Sequence, residues 1–269
     1  MTDEQENLVQ ESPVNLAIDP DVLASELAAE LLGDPLDEID FEGFDPDSLQ
    51  IAMECESGLT WLKEGHEQRL QGLRVFCEHR DPRALPLLIP LLKEPCPVER
   101  MSAVYALGRN PCPRALDLLL NLLKNDCNAY VRKATAWSLG NYPDDLVLQP
   151  LINALKNDVS AVRLWASSSL ADVVGTSSEK AAKASEQLLI SLKIDSEPVV
   201  RSNCIWALGR IIENLEESLR TALIDAFFDV LLNDVESSVR DEARIVLEQL
   251  GTGIVRTRLQ ELIDDGVLV

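Results

Sequence analysis

The chain has 269 residues, 46% of them hydrophobic and only 4% aromatic, and a net charge of −22. That is long enough to bury a sizeable core, and its Leu- and Ala-rich, aromatic-poor make-up favours helix over strand. A chain this acidic offers no basic face to neutralise phosphate, which argues against a nucleic-acid partner; no run approaches ~18 apolar residues, so no membrane span is expected.

The charge is uneven. Residues 1–62 hold seventeen Asp and Glu and no Lys or Arg. Residues 1–20 lack an apolar period and read as a disordered acidic tail. Residues 21–58 read as an acidic cap or arm. Within it Leu23, Leu27 and Leu31 recur at i+4, marking a short amphipathic helix. Two roles stay open for this segment: covering the first repeat, or docking on a basic partner. The N-terminus lacks the basic, apolar pattern of a signal peptide, and six cysteines in so long a chain do not suggest a disulfide framework. A soluble cytoplasmic protein with reduced thiols is the expectation.

From residue 59 to the end the chain is a repeat. Arg100, Arg132, Arg163, Arg201 and Arg240 each head a similar apolar helix, with a weaker copy at Arg69. The spacings are 31, 32, 31, 38 and 39 residues. Before most of them an apolar helix ends in a turn carrying Asp126, Asp158 or Asp234. Each unit therefore reads as helix A, a tight turn, and helix B. Asp and Asn suit the turn because their side chains satisfy free backbone N–H groups. Gly108, Gly140 and Gly209 fall near the end of helix B, where a left-handed glycine is expected. Asp and Arg at fixed offsets predict a ladder of ion pairs between neighbouring turns. A helical hairpin alone cannot bury its apolar stripe, so the units must stack. The fold class is all-α: a right-handed α-solenoid of about six helical hairpins.

"VRKATAWSLG" and "VVRSNCIWALGR" resemble HEAT repeats of the short type found in phycobilisome lyase-like proteins. The resemblance covers roughly residues 60–250. That family includes bilin lyase subunits, phycobilisome-degradation factors and a HEAT protein that binds an IscA-type iron–sulfur carrier. The resemblance thus implies a protein partner, either an IscA-type carrier or a phycobiliprotein, in cofactor assembly or phycobilisome maintenance. It also implies an alternative: a lyase-type subunit that holds a phycobilin while a thioether forms or breaks.

On a helical wheel with the repeat arginine at position zero, positions −1, +3, +6 and +7 face the core. In two units these are Val131, Thr135, Ser138 and Leu139, and Val200, Cys204, Ala207 and Leu208. Position +5 points about 150° away and holds Tyr105, Trp137, Ser168 and Trp206. Trp165 lies one turn before Ser168, and Arg109 and Arg210 follow Tyr105 and Trp206 by four residues. These aromatics and arginines predict a concave binding groove, since rings with a polar edge concentrate in binding hot spots. Simple filling of space between adjacent B helices is the competing reading.

Cys96 and Cys112 sit in Pro-Cys-Pro triplets on either side of one helix B. About eleven helical residues separate them, or roughly 15–20 Å, too far for a disulfide or one zinc. Cys96, Cys112 and Cys127 are candidates for transient ligation of a cluster or tetrapyrrole delivered by a partner, against a plain role as loop residues. No linear Cys/His ligand spacing is present, so no structural metal is expected. The di-iron HEAT hydroxylases need several His-Glu pairs, and this chain has only His66-Glu67. No catalytic set stands out.

Overall fold

The computed structural model describes residues 46–251 and 253–268, so the expectations for residues 1–45 lie outside the described residues. The chain divides between Leu49 and Gln50 into two units. Of the first, only residues 46–49 are described, as the opening turn of a helix. The second, Gln50–Val269, holds the repeats.

Thirteen helices and no strand occur among the described residues. They are α1 (Pro46–Trp61), α2 (His66–Glu78), α3 (Leu85–Leu91), α4 (Pro97–Arg109), α5 (Pro113–Asn125), α6 (Ala129–Leu139) and α7 (Leu148–Asn157). Then follow α8 (Ser160–Val174), α9 (Ser178–Ile194), α10 (Pro198–Ile211), α11 (Glu217–Asn233), α12 (Ser237–Leu250) and α13 (Gly253–Asp264). Helices α2, α4, α6, α8, α10 and α12 pack side by side as one layer. Helices α3, α5, α7, α9 and α11 each pack against the following member of that layer and form the other. This is the stacked-hairpin solenoid expected from the repeat. Helix α1 takes up residues at the end of the stretch read as an acidic arm, and it meets α2 where Gly58 faces Gly72.

The boundaries follow from local chemistry. Pro97, Pro113 and Pro198 open α4, α5 and α10 at positions whose N–H would have no helical partner. The Asn128 side chain caps α6, accepting from the Tyr130 and Val131 N–H groups, and Ser177 caps α9 through the Lys180 N–H. The two Pro-Cys-Pro triplets are therefore the start and stop signals of α4.

The predicted core positions are buried: Val131, Leu139, Val200, Cys204, Ala207 and Leu208 are inaccessible, as are Thr135 and Ser138. Thr135 Oγ1 donates to the Val131 carbonyl oxygen at 2.7 Å, so burial leaves it satisfied. Polar side chains also stitch the loops between units. Asn110 donates to the carbonyls of Phe76 and His79 and accepts from the Asp81 N–H at 2.8 Å. Tyr142 Oη donates to the Leu107 carbonyl, and burial pushes its phenol up to about 12.

The ion-pair ladder is present. Arg100, Arg132, Arg163 and Arg201 each make a two-pronged contact with the aspartate of the following unit. These partners are Asp126, Asp158, Asp195 and Asp234, at 2.6–3.0 Å. The remaining guanidinium nitrogen of Arg132, Arg163 and Arg201 reaches back to the carbonyl oxygen of its own unit's turn aspartate. One arginine thus ties two successive turns. Burial alone raises the Asp126 and Asp195 carboxyls, but the guanidiniums and turn N–H groups outweigh it, and both titrate below the ordinary range. Asp234 is held down chiefly by Arg201.

The repeat glycines differ from expectation. Among the described residues only Gly175, Gly251 and Gly266 have positive φ. Gly108 and Gly209 lie inside α4 and α10, and Gly140 keeps right-handed helical geometry. What these three positions require is room. A Cβ on Gly108 would meet Trp137 Cζ3 at 2.5 Å, one on Gly140 would meet Ser169 Oγ at 2.8 Å, and one on Gly209 would meet Val246 Cγ1 at 2.7 Å. They let neighbouring B helices approach closely.

Candidate functional site

The B-helix layer carries an open groove of about 490 Å³ across α6, α8, α10 and α12. Its aromatic walls are Trp137, Trp165 and Trp206. Trp137 and Trp165 are half-buried, while Trp206 remains 36% exposed despite its size. Tyr105 extends the aromatic row beyond Trp137, with ring centroids 5.3 Å apart and planes tilted by 54°. Past Trp206 a second depression of about 260 Å³ runs between α10 and α12, where Arg210 lies. The Arg210 guanidinium sits 5.0 Å from the centre of the Trp206 ring and pairs with Asp172 at 2.9 Å.

The structure thus brings together Trp137, Trp165, Trp206 and Arg210, with Tyr105 adjoining. It does not bring in Arg109, whose Nε donates to the Cys77 carbonyl at 3.4 Å. Beside the +5 row, two more rows line the groove. Asn203 and Glu242 stand two residues after their repeat arginines, as Trp165 does; Asn141 and Asp172 stand nine after theirs, as Arg210 does. Rows +2, +5 and +9 fall on one helical face, and reading all three would have shown that Asp172 faces Arg210 from the next helix.

The polar groups of the groove are of two kinds. Asn203 Nδ2 is engaged with the Leu164 carbonyl and the Ser167 and Ser168 hydroxyls, so its side chain is held. Glu242 is different: it is half-buried, and burial by itself pushes its carboxyl up. A cationic side chain entering beside it would relieve that cost.

All six cysteines are free. Cys127 is exposed and Cys96 half-buried, but Cys112 is buried, with its backbone N–H donating to Tyr142 Oη. Cys112 therefore presents no exposed loop thiol, its backbone being held by the buried Tyr142 hydroxyl. Cys204 lies in the core as expected of a small apolar residue, and burial pushes the Cys77 thiol up to about 11. No described helix is long and apolar enough to cross a membrane.

A family model of HEAT repeats matches residues 66–140 and 116–209, together more than half of the chain. This chain belongs to the HEAT-repeat family. No curated protein matches its sequence. Among solved structures it resembles a designed armadillo repeat protein in complex with the peptide (KR)4, at 21% identity and a TM-score of 0.52. That match covers 72% of this chain and 98% of the other. A second designed armadillo repeat protein is 19% identical, with a TM-score of 0.53 and coverage of 72% and 99%. The karyopherin Kap121p, bound to the extreme C-terminus of the protein phosphatase Cdc14p, is 16% identical with a TM-score of 0.57. That match covers 72% of this chain but 23% of Kap121p, so this HEAT-repeat protein spans under a quarter of the karyopherin's length. These likenesses show the repeat-solenoid fold.

Proposed function

We propose that this HEAT-repeat protein is a non-catalytic interaction scaffold that holds an extended, partly basic segment of a partner protein in the B-helix groove. The observation that carries the reading is the row of Tyr105, Trp137, Trp165 and Trp206 with Arg210 stacked at its end, three half-buried rings leading to one that is 36% exposed along the B-helix groove. Packed rings pre-organise a surface that needs little ordering on binding. Asp172 and Glu242, set among the rings, favour a cation, as does the net charge of the chain. Two of the structural neighbours are described with a bound peptide or C-terminal segment, one of them made of Lys and Arg, which supports the same mode here.

The finer reading, taken from the repeat resemblance, places this scaffold in iron–sulfur or tetrapyrrole cofactor assembly or in phycobilisome maintenance. An IscA-type carrier or a phycobiliprotein is then the partner.

The test is tryptophan fluorescence during titration with an alternating Lys-Arg octapeptide, then with a purified IscA-type carrier and a phycobiliprotein. Replacing Trp137 and Trp206 together by Ala is expected to weaken binding at least ~30-fold, the scale of a hot-spot pair. Unchanged affinity in a double variant with intact helical circular dichroism sinks the groove. Co-expression with a phycobilin separates the lyase-type alternative: a bound chromophore would favour it over the scaffold.

A further inference from the structure

The repeat is regular enough that its one buried charge at a core position stands out; the same position in α2 is the exposed Gln68. Position −1 of helix B is a fully buried valine in four units: Val131, Val162, Val200 and Val239. In α4 the same position is Glu99, which is only 3% exposed. A carboxylate at a valine position costs stability unless something compensates it. Two groups reach it: His66 Nδ1 stands 3.1 Å from Glu99 Oε1, and Arg69 Nη1 stands 3.3 Å from the same oxygen. Cys96, the N-cap of α4 one turn before Glu99, completes a cluster. One ligand atom from each of His66, Cys96 and Glu99 lies within 4.8 Å of the others.

We infer that His66, Cys96 and Glu99 form a binding site for a zinc-class divalent cation, on the edge of the solenoid that carries the ladder and independent of the groove. The donor set is one thiolate, one imidazole and one carboxylate, which suits zinc or cobalt over the harder magnesium and calcium. Tetrahedral bonds of about 2.0–2.3 Å place ligand atoms roughly 3.3–3.8 Å apart, so closing on an ion takes small side-chain shifts. His66 is 56% exposed at its side chain, free to adjust and open to water, which would fill a fourth position.

Arg69 is the group that opposes a cation here. Its effect is limited by charge: a divalent ion with one thiolate and one carboxylate is a neutral centre. Arg69 also has another partner in Glu94, 3.6 Å away, and a further acceptor in the Glu64 carbonyl. Binding converts Cys96 from thiol to thiolate, so the cation enters and one proton leaves to solvent.

The experiment uses the reduced, metal-free full-length protein titrated with Co2+, followed by near-ultraviolet thiolate-to-cobalt absorption, then by displacement with Zn2+. One equivalent is expected to bind. The near-ultraviolet band should vanish in Cys96→Ser and persist in Cys127→Ser. Glu99→Val installs the residue used by four other units, so it should fold at least as well as the metal-free wild type. It should also bind Co2+ more weakly, on the order of 100-fold, and its melting temperature should no longer respond to Zn2+. The inference is overturned by the absence of saturable Co2+ binding in the wild type. It is also overturned by a thiolate band that survives Cys96→Ser, or by a zinc-dependent rise in melting temperature as large in Glu99→Val as in the wild type.

Discussion

The first junction between B helices and the four that follow solve the same problem differently. From α4 to α10 each repeat arginine grips an aspartate of the next turn with two short hydrogen bonds. Between α2 and α4, Arg69 instead faces Glu94 at 3.6 Å and Glu99 at 3.3 Å, and His66 and Cys96 gather beside it. The regular rungs are saturated: each guanidinium nitrogen that faces the ladder has a carboxylate or carbonyl oxygen. The first is looser and chemically richer. In a repeat protein stability is approximately a sum over units and their interfaces. One irregular interface is thus tolerated when the others are strong, and the irregular one is where a ligand site has room to exist.

The broadest way to break this comparison is acid. Asp126, Asp195 and Asp234 are held below the ordinary aspartate value of 3.8 in the folded chain. Their folded pKa is depressed, so they stabilise fully above about 3.8 and lose that contribution as pH falls below it. Urea midpoints should stay level from pH 7 toward pH 5 and fall steeply below 4; a midpoint insensitive to pH 3 would mean the rungs carry no stability.

A single rung comes next. Arg201→Met leaves Asp234, 10% exposed at its side chain, without its cation and should cost roughly 3 kcal/mol in urea unfolding. Arg69→Met, at the looser junction, should cost less than half of that. Equal losses would erase the distinction between the two kinds of interface.

The smallest of these effects concerns helix spacing. Gly209→Ala presses a methyl group on Val246 and should cost about 1–3 kcal/mol. At the equivalent position of α2 stands Cys77, whose Sγ lies 3.5 Å from the Ser102 carbonyl, so that interface already admits a side chain. Cys77→Ala should therefore stay within about 1 kcal/mol of wild type, and a larger loss than for Gly209→Ala would reverse the spacing rule.

Much of the molecule is legible in the amino-acid order because the relevant signals are local. Helical period, proline starts, turn aspartates and the recurring arginine each act within one unit, and repetition makes them audible above noise. From these the hairpins, the core rows and the ion-pair ladder follow. The groove is legible in part: row +5 points to Trp137 and Trp206, while Asp172 and Glu242 emerge only when rows from adjacent helices are set side by side. The glycines mislead because a glycine near a helix end looks the same whether it serves a turn or a close crossing. Only the neighbouring helix, with Trp137 or Val246 against the glycine Cα, distinguishes the two.

The amino-acid order alone determined that this is a stack of helical hairpins with an ordered charge ladder, since backbone satisfaction and apolar periodicity leave few alternatives for such a repeat. The tertiary structure decided which irregularities matter. It buried Cys112 beside the Tyr142 hydroxyl, set the Arg109 guanidinium against the Cys77 carbonyl, and drew His66 to Cys96 and Glu99 across some thirty residues of chain. Those outcomes depend on how one unit seats on the next, a geometry set by side-chain packing between helices rather than by any pattern within one of them.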